Sequence, residues 1–189
     1  MAYSVPVGLS NKHIHLTEEH YKILFGDQPL TADKWLKQPG QFGAHQKVEL
    51  IGPKGSLKNV RILGPFRKAS QVEISATDAR TIGLKAPIRE SGQLEGTPGI
   101  KVVGPCGELE LERGVIIAAR HVHLSTEQAA EAGLKDKDVV RVWVPGERGL
   151  MFENVLVRVS DSFVAEMHVD TDEGNAASLA NGQMVDLIY

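Results

Sequence analysis

Cysteine is nearly absent from this chain. Cys106 is the only one among 189 residues, which excludes an internal disulfide and any thiolate cluster for a metal. An excess of positive charge is lacking as well. Lys and Arg number 21 against 24 Asp and Glu, a net charge of -3, so no broad basic field exists to hold a nucleic acid backbone. No stretch approaches the ~20 consecutive apolar residues of a membrane helix, and residues 1–8 lack the basic segment and apolar run of a signal peptide. These absences point to a cytoplasmic protein with neither nucleic acid nor membrane as partner. The length falls short of a (β/α)8 barrel, which takes about 250 residues. A hydrophobic share of 42% is still enough to bury a core in one large domain or two small ones. What is plentiful is glycine and proline, 19 and 9 residues scattered along the chain, which predicts many turns, short strands and a mainly β fold.

A repeat runs through the chain. Lys12-His13-Ile14-His15-Leu16-Thr17 is answered by Arg120-His121-Val122-His123-Leu124-Ser125. Each copy reads basic residue, His, β-branched residue, His, Leu, hydroxyl residue, far more than a chance pairing of two histidines, and the chain reads as an internal duplication. The lead-in Val115-Ile116-Ile117-Ala118-Ala119 is an apolar run typical of a buried strand. In a strand continuing from it, His121 and His123 share one face, because side chains alternate with period two. Ser125 then caps a helix, with Gln128 completing a capping box and Gly133 closing it, while Thr17 caps one that runs towards Phe25 and stops at Gly26. Each His pair therefore sits where a strand hands over to a helix. A weaker echo links the segment from Gln71 to Asp78 with that from Glu166 to Asp172, setting Glu73 opposite His168. The stretch from about 28 to 43 reads as an excursion or lid. Lys47 to Leu50, Val139 to Val144 and Leu156 to Val159 read as short strands, with Gly-Pro turns at 52–53, 64–65 and 104–105.

Two imidazoles at i and i+2 on a strand converge on one point. Three N or O ligands with an open position make a catalytic zinc site, whereas a structural zinc is usually closed by four. His13, His15 and Glu73 form one such set, and His121, His123 and His168 the other. A single H-x-H reads first as surface or capping histidines; two copies in register reverse that preference. His20 and His45 have no counterparts and keep the plainer reading. Glu19 and Glu127 match the spacing of a cupin glutamate, but Thr17 and Ser125 place them in first helical turns, where the helix dipole explains an acid. Arg67 precedes Glu73 in Gly64-Pro65-Phe66-Arg67-Lys68 and projects near the first set. Its planar fork suits phosphate, and a solvated Arg-Lys pair at a strand end is the competing reading. Cys106, in a Gly-flanked turn with no repeated partner, reads as structural.

The joint pattern Asn11 to Leu16, Phe66-Arg67-Lys68, Gln71 to Ser75, Ala86 to Gly92, Arg120 to His123 and Met167-His168-Val169 resembles the PduL-type phosphate acyltransferases, or phosphotransacylases, from Pro6 to Tyr189. The resemblance implies two small similar β-barrels with short capping helices and the active site at their interface. The central barrel would span 11–118; the second would combine 1–10 with 119–189. It also implies two zinc ions per chain, held by the same two ligand sets, with Arg67 binding phosphate. Family members inside bacterial microcompartments carry an N-terminal amphipathic targeting extension. Here the barrel motif begins almost at once, and eight residues are too few for such a helix, so a free cytoplasmic enzyme is expected.

The implied reaction is the reversible conversion of acyl-CoA and phosphate to acyl phosphate and CoA, with a short acyl group such as acetyl or propanoyl. Phosphate is already anionic, so direct attack assisted by zinc needs no acyl-enzyme, in keeping with the lack of a convincing Ser or Cys nucleophile. The rivals are a zinc-dependent thioester hydrolase, which would not need Arg67, and a non-catalytic metal-binding module, which would not need an open position. Lys12, Lys68, Arg80 and Arg89 are candidates by charge alone for gripping the CoA nucleotide, and Arg89 is the next position for the anion. A homo-oligomer is left open.

Overall fold

The computed structural model describes residues 2–189, which fall into two compact units: Lys12–Ala118, and the residues up to Asn11 together with Ala119–Tyr189. The fold is mainly β with four short helices among the described residues, as the glycine and proline content predicts. None of those helices is long and apolar enough to cross a membrane.

The discontinuous unit holds β1 (Ala2–Ser10), β11 (His121–Leu124), α3 (Thr126–Ala132), β12 (Val139–Val144), β13 (Leu150–Val159), β14 (Glu166–Asp170), α4 (Thr171–Ala176) and β15 (Met184–Ile188). Its six strands close into a barrel in the order β1-β14-β11-β13-β12-β15. The central unit holds β2 (His13–His15), α1 (Glu18–Phe25), β3 (Ala32–Trp35), β4 (Phe42–Ile51), β5 (Ser56–Gly64), β6 (Gln71–Glu73), α2 (Ala76–Ile82), β7 (Ile88–Arg89), β8 (Ile100–Val103), β9 (Glu108–Leu111) and β10 (Val115–Ala118). Here the sheet runs β7-β10-β6-β2-β5-β4-β8-β9 and does not close, with β3 added on β4. The expectation of a barrel is met by ring closure in one unit and only by an open sheet in the other. The terminal strand β7 has two residues after Pro87, and the segment that follows, with Gly92, Gly96 and Pro98, supplies no ladder to reach β9. The stretch from about 28 to 43 contains a strand: β3 pairs antiparallel with the start of β4, and its exposed Trp35 packs edge-on against Phe42.

One local expectation changes. The apolar lead-in and the second His pair belong to different strands, because β10 pairs with β6 and β7 whereas β11 pairs with β13 and β14. The chain leaves one sheet at Ala118 and enters the other at His121. The two histidines still share a face, since β11 carries both.

Both units follow one pairing plan around the H-x-H strand. β2 runs parallel to β5 and antiparallel to β6, which is parallel to β10; β11 runs parallel to β13 and antiparallel to β14, which is parallel to β1. Asn59 and Asn154 both take left-handed backbone, φ 58 and 57, two residues before the register partners of His13 and His121. Asparagine tolerates that conformation better than most residues.

Period two explains which side chains face the cores. Ile14, Leu16 and Val72 lie in the central core and Val122, Leu124, Met167 and Val169 in the other, each large side chain stabilising the fold by roughly 1.5–3 kcal/mol on burial. The alternate residues, both histidines of each pair and the polar residues of β6 and β14, are thereby turned to the opposite face.

Candidate metal and anion site

Each His pair is positioned from both ends. Its strand is held in the sheet, and two residues beyond the second histidine the chain enters a helix under a side-chain cap. Thr17 accepts from the N–H of His20, and Ser125 forms a full capping box with Gln128. The strands carrying the third group behave alike: Ser75, two residues after Glu73, caps α2, and Asp170, two after His168, caps α4 in a box with Glu173. Glu19 and Glu127 lie in the first turns of α1 and α3, where the dipole accounts for them. Strand register completes each set. His13 stands directly across from Glu73 and His121 across from His168.

The ligand-type atoms of His13, His15 and Glu73 lie within 4.8 Å of one another, and so do those of His121, His123 and His168. In the first set Glu73 Oε2 is 3.4 Å from His13 Nε2, and Oε1 is 3.9 Å from His15 Nε2. Burial opposes the charge on Glu73, but His13, His15 and Arg67 outweigh it and hold the carboxyl well below the usual range. Burial pushes His15 well below its ordinary value, with His13 and Arg67 acting the same way against Glu73 and the Leu63 carbonyl. In the second set burial, then His121, His168 and Arg158, push His123 down to about 2. His15 and His123 are thus neutral imidazoles with a lone pair to offer.

A carbonyl oxygen can only accept, so a histidine nitrogen bonded to one carries the proton. His15 Nδ1 donates to Leu63 O at 3.3 Å and His121 Nδ1 to Ala119 O at 2.8 Å, leaving Nε2 of each ring as the candidate ligand atom. His123 Nδ1 is buried without any hydrogen-bond partner, a costly state for an imidazole nitrogen unless a cation occupies it. Both sets therefore fit a metal ion of borderline softness, with three protein groups each.

Arg67 is joined to the first set. Its backbone N–H bonds Leu16 O at the end of the H-x-H segment, and its guanidinium donates to Ser91 Oγ at 3.0 Å. Ser91 donates to Glu73 Oε1 at 3.1 Å, and Gln71 Nε2 reaches both Ser91 Oγ, at 2.8 Å, and Glu73 Oε1, at 2.5 Å. Gln71 Oε1 is occupied by the Gly92 N–H, which fixes the amide's orientation. Gln71 and Ser91 stand within the sequence motifs but are not among the residues expected at the site. Their signal was the i−2 position of Gln71 on the face of Glu73; for Ser91 no local signal existed. Glu166 occupies the same i−2 position before His168 and bonds it at 2.8 Å.

The remaining candidates sit apart. Arg89 on β7 donates to the carbonyl of Ile88, Lys12 pairs with Asp78 at 3.2 Å, and Lys68 and Arg80 are exposed. His20 bonds Ser70 Oγ at 2.8 Å, His45 stands exposed 3.5 Å from Asp33, and Cys106 is exposed in its turn.

A family model described as phosphate propanoyltransferase matches residues 6–180. The chain belongs to the phosphate propanoyltransferase family. This is a family of acyltransferases, the enzyme class expected from the sequence. Among its relatives, the phosphate propanoyltransferase of Thermotoga maritima is 53% identical over 184 residues, 96% of this chain and 88% of that protein. That of Salmonella typhimurium is 54% identical over 178 residues, 94% and 85% of the two chains, and that of Lachnoclostridium phytofermentans 52% over 188, 98% and 88%.

Proposed function

We propose that this member of the phosphate propanoyltransferase family transfers a short acyl group, such as acetyl or propanoyl, reversibly between CoA and inorganic phosphate, with two zinc ions per chain and Arg67 as the phosphate-binding residue. The observation that carries the reading is the tie of Arg67 to Glu73 through Ser91. A guanidinium held beside a metal-type ligand set suits a dianion that must be aimed at a thioester carbonyl. The family match over residues 6–180 supports the substrates, and the shared pairing plan supports reading the two units as copies of one ancestral unit.

His13, His15 and Glu73 would hold one ion and His121, His123 and His168 the other. Zinc so held supplies a Lewis acid for the thioester carbonyl and a borderline-soft partner for a thiolate. The chain's own work is binding and aim. Arg67, its guanidinium oriented by Ser91, holds phosphate with an oxygen free to attack. A bond forms from that oxygen to the acyl carbon and the C–S bond breaks, the electron pair leaving with the CoA sulfur. Because phosphate enters as an anion, no side chain need remove a proton to make it nucleophilic. Gln71 and Ser91 keep Glu73 oriented by donating to it, and Cys106 takes no part.

The test is thiol release from acetyl-, propanoyl- and butanoyl-CoA with and without phosphate, on the parent and on Arg67→Ala. Release should require phosphate. Arg67→Ala removes a charge-assisted contact of roughly 1.5–3 kcal/mol, on the order of 10- to 100-fold in apparent phosphate affinity or kcat/KM, and Arg67→Lys restores only part. Release that is as fast without phosphate would make the protein a hydrolase. No release under any condition, with metal bound, would make it a binding module.

A further inference from the structure

The two candidate metal sets differ in a way that identifies one more working residue. Across each H-x-H strand lies a pair of polar residues at i and i−2: Glu73 with Gln71, and His168 with Glu166. Register makes the four positions equivalent, His13 facing Glu73 and His15 facing Gln71, His121 facing His168 and His123 facing Glu166. Each pair contains one carboxylate, at opposite places. In the central unit the acceptor Glu73 is served by a donor, the Gln71 amide, at 2.5 Å; in the other the donor His168 is served by an acceptor, the Glu166 carboxylate, at 2.8 Å.

A carboxylate accepts, so the nitrogen of His168 that bonds Glu166, Nε2, is the one carrying the proton. With Nε2 so engaged, Nδ1 is the atom left to offer a lone pair, the reverse of His15 and His121, whose Nδ1 atoms are the donors. The neighbouring strand leaves room for this pair. A Cβ at Gly8, the register partner of His168, would stand 2.9 Å from Glu166 Cδ and 3.0 Å from His168 Cδ2.

Resting on the metal reading given above, we infer that Glu166 is a positioning residue of the second metal site: it fixes the tautomer and orientation of His168 so that Nδ1 is presented to the ion. Such outer partners of a ligating histidine are typically worth 10- to 100-fold in metal affinity.

The experiment is zinc titration against a competing chelator dye on the metal-free full-length chain, with Glu166→Gln and Glu166→Ala beside the parent, and ¹⁵N spectra of labelled histidine to read the His168 tautomer. The parent should bind about two ions and show His168 protonated on Nε2. Both variants should bind one ion as the parent does and the other 10- to 100-fold more weakly, and Glu166→Ala should lose the Nε2–H preference. A merely structural role would lower Tm without moving the tautomer. Parent-like affinity for both ions in Glu166→Gln, or a His168 protonated on Nδ1 in the parent, overturns the inference and leaves the metal reading standing. A parent chain that binds no zinc overturns both.

Discussion

In the central unit the polar face of the H-x-H strand meets a carboxylate supported by an amide and a serine. In the discontinuous unit it meets an imidazole supported by a carboxylate. Strand pairing and register around the two H-x-H strands correspond, so at these four positions the difference is one of side-chain polarity. Donor and acceptor roles change together at both positions. A carboxylate at both would set two negative charges side by side; a donor at both would leave two N–H groups competing for nothing that accepts. On the inference drawn above, the strand scaffold sets where the candidate ligands stand, while the partner at i−2 sets which nitrogen His168 would offer. The units also part company beside the two sets: Arg67 and Ser91 adjoin Glu73 in the first, whereas in the second the Phe163 ring packs against His123, centroids 4.3 Å apart, with the Arg158 guanidinium 5.9 Å from the Phe163 ring centroid.

The strongest way to break this comparison is to remove ligands from one unit at a time. His13→Ala and His121→Ala should each reduce zinc from about two ions per chain to about one, measured by elemental analysis, and each should lower phosphate-dependent thiol release on the order of a thousandfold, as loss of a Lewis acid worth several kcal/mol requires. Loss of both ions from either single variant would mean that the two sets do not act as separate sites.

Swapping polarity at one position only comes next. Gln71→Glu places a second carboxylate against Glu73 at a position 2% exposed, and the uncompensated buried charge should cost about 3 kcal/mol. In a chain of this size that is a fall in Tm of about 6–12 °C. Glu166→Gln, which removes a charge instead of adding one, should move Tm far less in metal-free protein. Equal losses in the two variants would show that charge balance is not what distinguishes the two faces.

Smaller effects belong to the helix caps. Ser125→Ala breaks a reciprocal capping box and Thr17→Ala a single bond to the His20 N–H. Each should cost about 1 kcal/mol, the first somewhat more, for a drop of about 2–4 °C in thermal unfolding. The reverse order would mean that Thr17 matters to α1 through more than its cap. Smallest of all is Cys106→Ala, in an exposed turn. Turnover within a few-fold of the parent and stability within about 0.5 kcal/mol are expected; a folded variant that has lost several orders of magnitude in turnover would require a covalent intermediate.

Much of this was legible along the chain because it is local. The period of a strand puts His13 with His15 and His121 with His123 on one face, and hydroxyl residues two positions later announce Thr17 and Ser125 as caps, with Gly26 and Gly133 as stops. The pairing of Glu73 and His168 with those histidines was readable only because the two H-x-H segments and the two segments that echo each other could be compared. What the tertiary structure alone decided is whatever depends on partners far along the chain. Ser91 reaches Glu73 across 18 residues and Arg67 across 24, and nothing in the spacing of 67, 73 and 91 reveals that their side chains meet. Ring closure is of the same kind: whether the last strand of a sheet finds the first depends on the twist and length of every strand between, so one unit closes and the other ends at the two-residue β7. The change of sheet between Ala118 and His121 is hidden for the same reason, since an apolar run records that a strand is buried and not which sheet buries it.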